Sequence, residues 1–150
     1  MRIVIQRVSK AEVMIEGNIV GSINKGLMVL LGIENEDDQS DLEWLVNKLL
    51  NLRIFNDDLN IMNYSLLDVK GGLMVISQFT LMAATKKGNR PSFIRAANHE
   101  IAIPLYEQFV HLAEEKLGSN VAKGVFGLDM EVSLLNDGPV TIIIDSKNRD

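Results

Sequence analysis

A chain of 150 residues, 47% of them hydrophobic and only 3 of them proline, is sequence for one ordinary domain, residues 1-150, long enough to bury about two-thirds of its unfolded surface. The absence of cysteine excludes disulfides and thiol catalysis, leaves a zinc site unexpected with just two histidines, and is compatible with a cytoplasmic location. The net charge of -5 argues against generic attraction to nucleic acid, and no stretch approaches the roughly 18 apolar residues of a membrane span.

Residues 2 to 33 read as strands. Ile3, Ile5 and Val8 partly alternate with polar residues, Ala11 to Ile15 follows, and Glu16-Gly17-Asn18 makes a tight turn. No apolar segment with a cleavage site opens the chain, so no secretory signal is expected. Leu27 to Leu31 is apolar without alternation, the pattern of a central strand covered on both faces. The acidic break Glu34 to Asp38 leads into a helix with Leu42, Leu45, Val46, Leu49 and Leu52 on one face, opened by Ser40 or Asp41; Trp44 lies off the centre of that stripe. Asn56 to Ser65 reads as loop, since its acids lack the spacing of a calcium site.

Leu73 to Phe79 is the next strand, ending in the polar and aromatic group Ser77-Gln78-Phe79-Thr80. A strand that closes on such residues delivers them to the rim of a pocket. Lys86 to Ala97 then carries Lys86, Lys87, Arg90 and Arg95 with no acid. A second helix is expected from near Asn98 to Leu117, burying Ile101, Leu105, Phe109 and Leu112, with Pro104 either kinking its first turns or marking a later start. His99 and His111 fall at surface or rim. Strands near Val121 to Phe126, Met130 to Leu135 and Val140 to Asp145 follow, and the polar tail Ser146 to Asp150 is expected to fray. Gly138-Pro139, within a strand pattern, is unusual: proline cannot donate to a ladder, and glycine there marks close backbone approach. The order of elements predicts an α/β domain with a mixed, largely antiparallel sheet and two helices on one side.

Ser77 to Leu81 and Asn136 to Thr141 resemble the two signature motifs of the D-aminoacyl-tRNA deacylases, also called D-tyrosyl-tRNA deacylases. The opening Arg2 to Val8, the stretch Lys87 to Phe93, and Gly124-Val125-Phe126 leading to Met130 extend the resemblance over the whole chain. Met82, Ala84 and Leu128 depart from the pattern, which bears on the shape of the pocket. The resemblance implies a layered α/β/β fold, no cofactor, a homodimer with active sites at the interface, and hydrolysis of the ester of a D-amino acid on tRNA.

Two routes to that hydrolysis remain open from the residues. Ser77 or Thr80 could act as nucleophile, although no triad or adjacent base is recognisable. Alternatively, the free ribose hydroxyl beside the ester assists water while N–H groups around Gln78, Phe79 and Thr80 receive the oxyanion, the route the family favours. The resemblance further implies a cis Gly138-Pro139 bond, whose dipeptide enters the partner subunit's pocket and refuses L-amino acids by main-chain sterics. Arg7 would brace it, with Asn136 beside it in the same motif, and Phe126 and Met130 would line the pocket. Lys86, Lys87 and Arg90 would hold tRNA. Glycine escapes such a gate, so glycyl-tRNA is an expected further substrate. The rival readings are a non-catalytic nucleic-acid-binding relative and a Ser/Thr hydrolase of small D-amino acid esters.

Overall fold

A computed structural model describes all 150 residues. The chain opens with a long strand β1 (Arg2–Ile15), which turns at Glu16-Gly17 into β2 (Asn18–Ile23) and continues through β3 (Gly26–Gly32). Glu16 and Gly17 both have positive φ, the geometry of the tight hairpin turn expected there. Helix α1 (Gln39–Asn51) leads to a small hairpin, β4 (Phe55–Asn56) and β5 (Met62–Tyr64), a short helix α2 (Leu66–Val69), and β6 (Gly72–Ser77). A single-turn 3-10 helix (Phe79–Met82), the long helix α3 (His99–Leu117), β7 (Ala122–Lys123) and β8 (Glu131–Asp145) complete it.

The main sheet runs β2-β1-β3-β6-β7, with β8 on the other side of β1. β1 is antiparallel to β2, β3 and β8, whereas β3–β6 and β6–β7 are parallel. The sheet is therefore mixed, with antiparallel pairs around β1 and a parallel segment that ends at Ser77. Alternation assigns its two faces. Leu27, Val29, Leu31, Leu73 and Val75 pack with Ile3 and Ile5 against Leu42, Leu45, Leu49, Phe109 and Val110 of the two long helices. Met28, Met74 and Ile76, on the opposite face, join Val8, Ala11 and Val13. Both long helices thus cover one face, and β3, covered on both, is central as its unbroken apolar run predicts.

Several expectations need correction. Helix α1 is capped by Asp38, not Ser40 or Asp41: the Asp38 carboxylate accepts the Ser40 and Asp41 N–H groups while Asp41 reaches back to the Asp38 N–H, a reciprocal capping box. Asn56 to Ser65 is not a plain loop, for it holds the β4–β5 hairpin, and Ser65 caps α2. In α3, with Asn98 as N-cap, the fully buried stripe is Ala102, Tyr106, Phe109, Val110 and Ala113, so the buried face is rotated by about one residue from the one expected. Pro104 lies inside this helix. Near Val121 only Ala122–Lys123 is strand.

The tail does not fray. Ser146 is buried; its N–H donates to the Met1 carbonyl (2.8 Å) and its hydroxyl accepts from the Met1 ammonium (2.9 Å). Lys147 Nζ donates to Asp41 (2.6 Å) and to the Glu36 carbonyl (3.0 Å), and the Arg149 guanidinium lies 4.5 Å over the Trp44 ring. Burial alone would raise the Asp41 carboxyl, but hydrogen bonds led by Lys147 outweigh it and hold the group below its ordinary range.

Candidate functional site

Where the parallel strands β3 and β6 end, the structure opens a cavity of about 630 Å³. Its floor is Leu31, Ile33 and Ile76; one wall is Ser77, Gln78 and Phe79, and the other is Phe126 to Met130 with Val132. The start of α3 (Asn98, His99, Ala102) and Phe93 close the rest. Location at the carboxyl end of parallel strands follows the general rule for open α/β sheets. Ser77, Gln78, Phe79, Phe126 and Met130 are thereby brought together.

The strand-end segment has a specific hydrogen-bond pattern. The Gln78 N–H donates to the Leu31 carbonyl (2.8 Å), extending the β3–β6 ladder by one residue. It is therefore committed, contrary to the expectation that it is free to meet an oxyanion. Beyond it the chain turns into the 3-10 helix, which closes with Leu81 N–H on the Gln78 carbonyl and Ala83 N–H on the Thr80 carbonyl. The Phe79 and Thr80 N–H groups, at the start of this turn, have no acceptor among the protein's hydrogen bonds, as the first donors of a helical turn must lack. Phe79 lines the cavity and Thr80 follows it, so both free main-chain donors stand at the cavity's edge.

Thr80 itself does not line the cavity. Its side chain is exposed and accepts a hydrogen bond from Gln78 Nε2 at 2.5 Å. Neither Ser77 nor Thr80 is hydrogen-bonded to a histidine, lysine or carboxylate, so neither hydroxyl has the base that would activate it. The Phe79 ring is 56% exposed and meets Phe93 edge-to-face at 5.1 Å, forming an aromatic lip. Inside, Phe126 is held between His99 (5.6 Å) and Tyr106 (5.8 Å). The Tyr106 hydroxyl donates to the Val75 carbonyl at 2.8 Å, and burial pushes it up to about 12, so it stays protonated and structural. Of the three departures, Leu128 lines the cavity, Met82 is buried behind it, and Ala84 pairs with Ser92 at the base of the basic loop.

Gly138-Pro139 lies elsewhere. The two strand runs expected on either side of it form one strand, β8, whose register against β1 jumps from Gln6↔Thr141 to Val8↔Asn136. Residues 137 to 140 thus stand opposite Arg7 alone, as a bulge, which relieves the proline of any ladder bond. The Gly138-Pro139 bond is cis, as the resemblance implies. Arg7, 6% exposed, supports the bulge from beneath. Its Nε donates to the Asp137 carbonyl at 3.1 Å, and Nη1 to the Ile54 carbonyl (2.6 Å) and Asn56 Oδ1 (3.3 Å). The brace thus holds the carbonyl preceding the dipeptide, not those of the dipeptide itself. Asn136 closes the bulge, accepting the Val140 N–H (3.4 Å) and donating to Thr141 Oγ1 (3.2 Å). Gly138 and Pro139 are exposed and contribute nothing to the cavity of their own chain.

The segment from Ala84 to Ser92 is pinned as a loop by paired hydrogen bonds between those two residues. Lys86, Lys87 and Arg90 are exposed on it and enter no ion pair, whereas Arg95 is bound to Glu34 at 2.9 Å. Sequence reasoning missed Asn98 and Asp129 as cavity residues and left His99 at surface or rim. Phe93 is flagged only through the Lys87 to Phe93 stretch; nothing in periodicity reports that the start of α3 faces the end of β6. No group of His, Cys, Asp and Glu is arranged to hold a metal.

Comparison with known proteins adds an independent finding. A model of the family described as D-Tyr-tRNA(Tyr) deacylase matches residues 4–145. The chain is 59% identical to the D-aminoacyl-tRNA deacylase of Flavobacterium psychrophilum and 57% identical to that of Bacteroides fragilis strain YCH46, each over 100% of both chains. Among solved structures, one described as c-Myc DNA Unwinding Element Binding Protein matches with a TM-score of 0.91 and 38% identity, covering 97% of this chain and 98% of the other. One described as a probable eukaryotic D-amino acid tRNA deacylase shares the fold, with a TM-score of 0.84 at 18% identity over 95% and 97% of the two chains.

Proposed function

The chain belongs to the D-Tyr-tRNA(Tyr) deacylase family, and from that membership we propose how its residues perform the hydrolysis of D-aminoacyl-tRNA to free D-amino acid and tRNA. The observation that carries the mechanism is the pair of unpartnered N–H groups, Phe79 and Thr80, at the edge of a largely apolar cavity in which no hydroxyl has a base. The ester carbonyl sits with its oxygen toward these two donors, which are fixed by the 3-10 turn and need no reorganisation as negative charge develops. Water attacks the carbonyl carbon, assisted by the neighbouring ribose hydroxyl of the substrate, and the ribose oxygen leaves as the ester opens. Gln78 holds the ribose or ester side, its amide already oriented by Thr80. Phe126 and Met130 contact the amino-acid moiety.

Chirality is set by the bulge. Gly138 and Pro139 project from one subunit into the cavity of a second copy, where their main chain occupies the space an L side chain would need. Three observations support this arrangement: the dipeptide is exposed and held rigid by Arg7 and Asn136; β8 pairs on one side only; and Leu135 and Ile143, flanking the bulge, are 56% and 67% exposed. An edge strand with apolar side chains on its outer face is a surface that a partner covers. Glycyl-tRNA passes the gate and is also hydrolysed. Lys86, Lys87 and Arg90 take the phosphates of the acceptor end, and the protein works in the cytoplasm beside the charged tRNA. No helix is long and apolar enough to cross a membrane.

The likeness to a protein described as DNA-binding keeps a second reading, a nucleic-acid-binding module without catalysis, open to test. Comparing hydrolysis of D-Tyr-tRNA with that of a simple D-tyrosine ester decides among the three readings. Turnover of the tRNA substrate only is expected. Binding without turnover would favour the module, and equal turnover of both a small-ester hydrolase.

A further inference from the structure

The turn that carries the Phe79 and Thr80 donors is held from outside its own segment. In the 3-10 helix Phe79–Met82, the Gln78 and Thr80 carbonyls accept the Leu81 and Ala83 N–H groups, whereas the Leu81 carbonyl lies past the last of these bonds. Arg2 meets it. Its Nη1 donates to the Leu81 carbonyl at 2.8 Å, while Nε and Nη2 donate to Asp145 Oδ2 at 3.0 and 2.7 Å. Strand register brings these groups together, since Arg2 on β1 stands opposite Asp145 of β8 on one side and Gly32 of β3 on the other. Gly32 lies beneath the same turn. A Cβ there would stand 2.9 Å from Leu81 Cβ and 3.1 Å from the Gln78 carbonyl oxygen, so the turn rests on strand backbone with no side chain between them.

The anchor is firm. Burial alone would raise the Asp145 carboxyl, but hydrogen bonds from the Lys147 N–H and from Arg2 outweigh it and hold the group below its ordinary range. The carboxylate therefore stays ionised beneath the guanidinium. Resting on the deacylase reading, we propose that Arg2 is a positioning residue for the hydrolysis: tied to Asp145, it fixes the Leu81 carbonyl and through it the direction of the Phe79 and Thr80 N–H groups. Arg2 does not line the cavity and acts only through the turn. Its fork satisfies a carbonyl that the turn leaves open, and a turn that cannot shift keeps its donors aimed as charge develops on the ester oxygen.

Steady-state hydrolysis of D-Tyr-tRNA, with Tm measured for every variant and assays run well below it, tests the assignment. Arg2→Met keeps an apolar stem and removes the donors. It is expected to lower kcat about ten-fold, less than the loss for deleting an oxyanion donor outright, and to leave KM within about two-fold. Arg2→Lys should recover part of the rate. Asp145→Asn should lower kcat by a smaller factor and add nothing to Arg2→Met in the double variant, because it acts through the same guanidinium. A merely structural Arg2 would lower Tm and leave kcat of the folded enzyme unchanged. That result, a loss confined to KM, or factors that multiply in the double variant would overturn the assignment while leaving deacylation intact. Should Arg2→Met fail to fold, unchanged kcat in both Arg2→Lys and Asp145→Asn would overturn it equally. A wild type that does not hydrolyse D-Tyr-tRNA would overturn the deacylase reading and this one with it.

Discussion

The strand end at Ser77 to Thr80 and the bulge at Asp137 to Val140 are both polar interruptions of apolar strands, yet they differ in completeness. The strand end has its environment within one chain: floor, walls, lip and the free Phe79 and Thr80 donors. The bulge is as firmly held, by Arg7 below and Asn136 behind, but it faces solvent. A protein that rigidifies an exposed main-chain projection while leaving it without a surface to meet has built half of a contact. Under the proposed function, that difference makes catalysis and selectivity separable, the first assigned to the cavity and the second to a segment that would act outside its own subunit.

The sharpest way to break that division concerns catalysis. Replacing the ribose hydroxyl next to the ester by hydrogen should abolish turnover, a loss on the order of 10²-fold or more for removing a group that acts in the transition state. Thr80→Ala and Ser77→Ala should keep activity within about ten-fold, because main chain rather than hydroxyl acts at those positions. Single-turnover kinetics check both. An acyl-enzyme trapped on either residue would merge chemistry with side chains and end the contrast.

Support of the bulge comes next. Arg7→Ala leaves the Ile54 and Asp137 carbonyls without their donor and a cavity beneath Gly138, so a stability loss of about 1–3 kcal/mol is expected in denaturant titrations. Rejection of L-Tyr-tRNA should weaken more than the rate on D-Tyr-tRNA falls. Gly138→Ala probes the same packing, since a Cβ there would meet Arg7 Nη2 at 2.8 Å and φ is +123°. Loss of D-rate with selectivity unchanged would assign Arg7 to the cavity instead.

Smaller effects mark the periphery. Charge reversal at Lys86, Lys87 and Arg90 should weaken tRNA binding and flatten the slope of log affinity against log salt by about 2–3, with the D over L preference unchanged. Smallest is the tail. Because the Asp41 carboxyl is depressed in the folded protein, its contribution is present above the ordinary carboxylate value of 3.8 and is lost as pH falls through the folded value. Asp41→Asn should therefore lower stability by at most about 1 kcal/mol at neutral pH, and by nothing at the acid end, read as Tm against pH.

Much of this was legible because it is local. The Glu16-Gly17-Asn18 turn, the helix start near Asn98 and the unbroken Leu27 to Leu31 run depend on neighbours a few residues away. What escaped is long-range. Lys147 meets Asp41 across 106 positions, so a polar tail that reads as frayed is docked. Pro139 reads as a break between two strands, yet a bulge opposite Arg7 lets one strand run through. In the site, Ser77, Gln78 and Phe79 follow from a strand ending in polar residues. That the Gln78 N–H is spent on Leu31, and that Thr80 turns out of the cavity, depends on a parallel pairing and a 3-10 turn that residue types do not report. His99 enters by way of packing between α3 and the end of β6, to which no motif points.

The central claim is that main chain at Gly138-Pro139, not the shape of the amino-acid pocket, excludes L-substrates. Single-turnover hydrolysis of D-Tyr-, L-Tyr- and glycyl-tRNA by the wild type, Phe126→Ala and Met130→Ala tests it most directly. The account predicts that all three proteins hydrolyse the D and glycyl substrates, with rates altered by the substitutions, and that none accepts L-Tyr-tRNA. Appearance of L-Tyr-tRNA hydrolysis when Phe126 or Met130 is cut back would place selectivity in the pocket and contradict it.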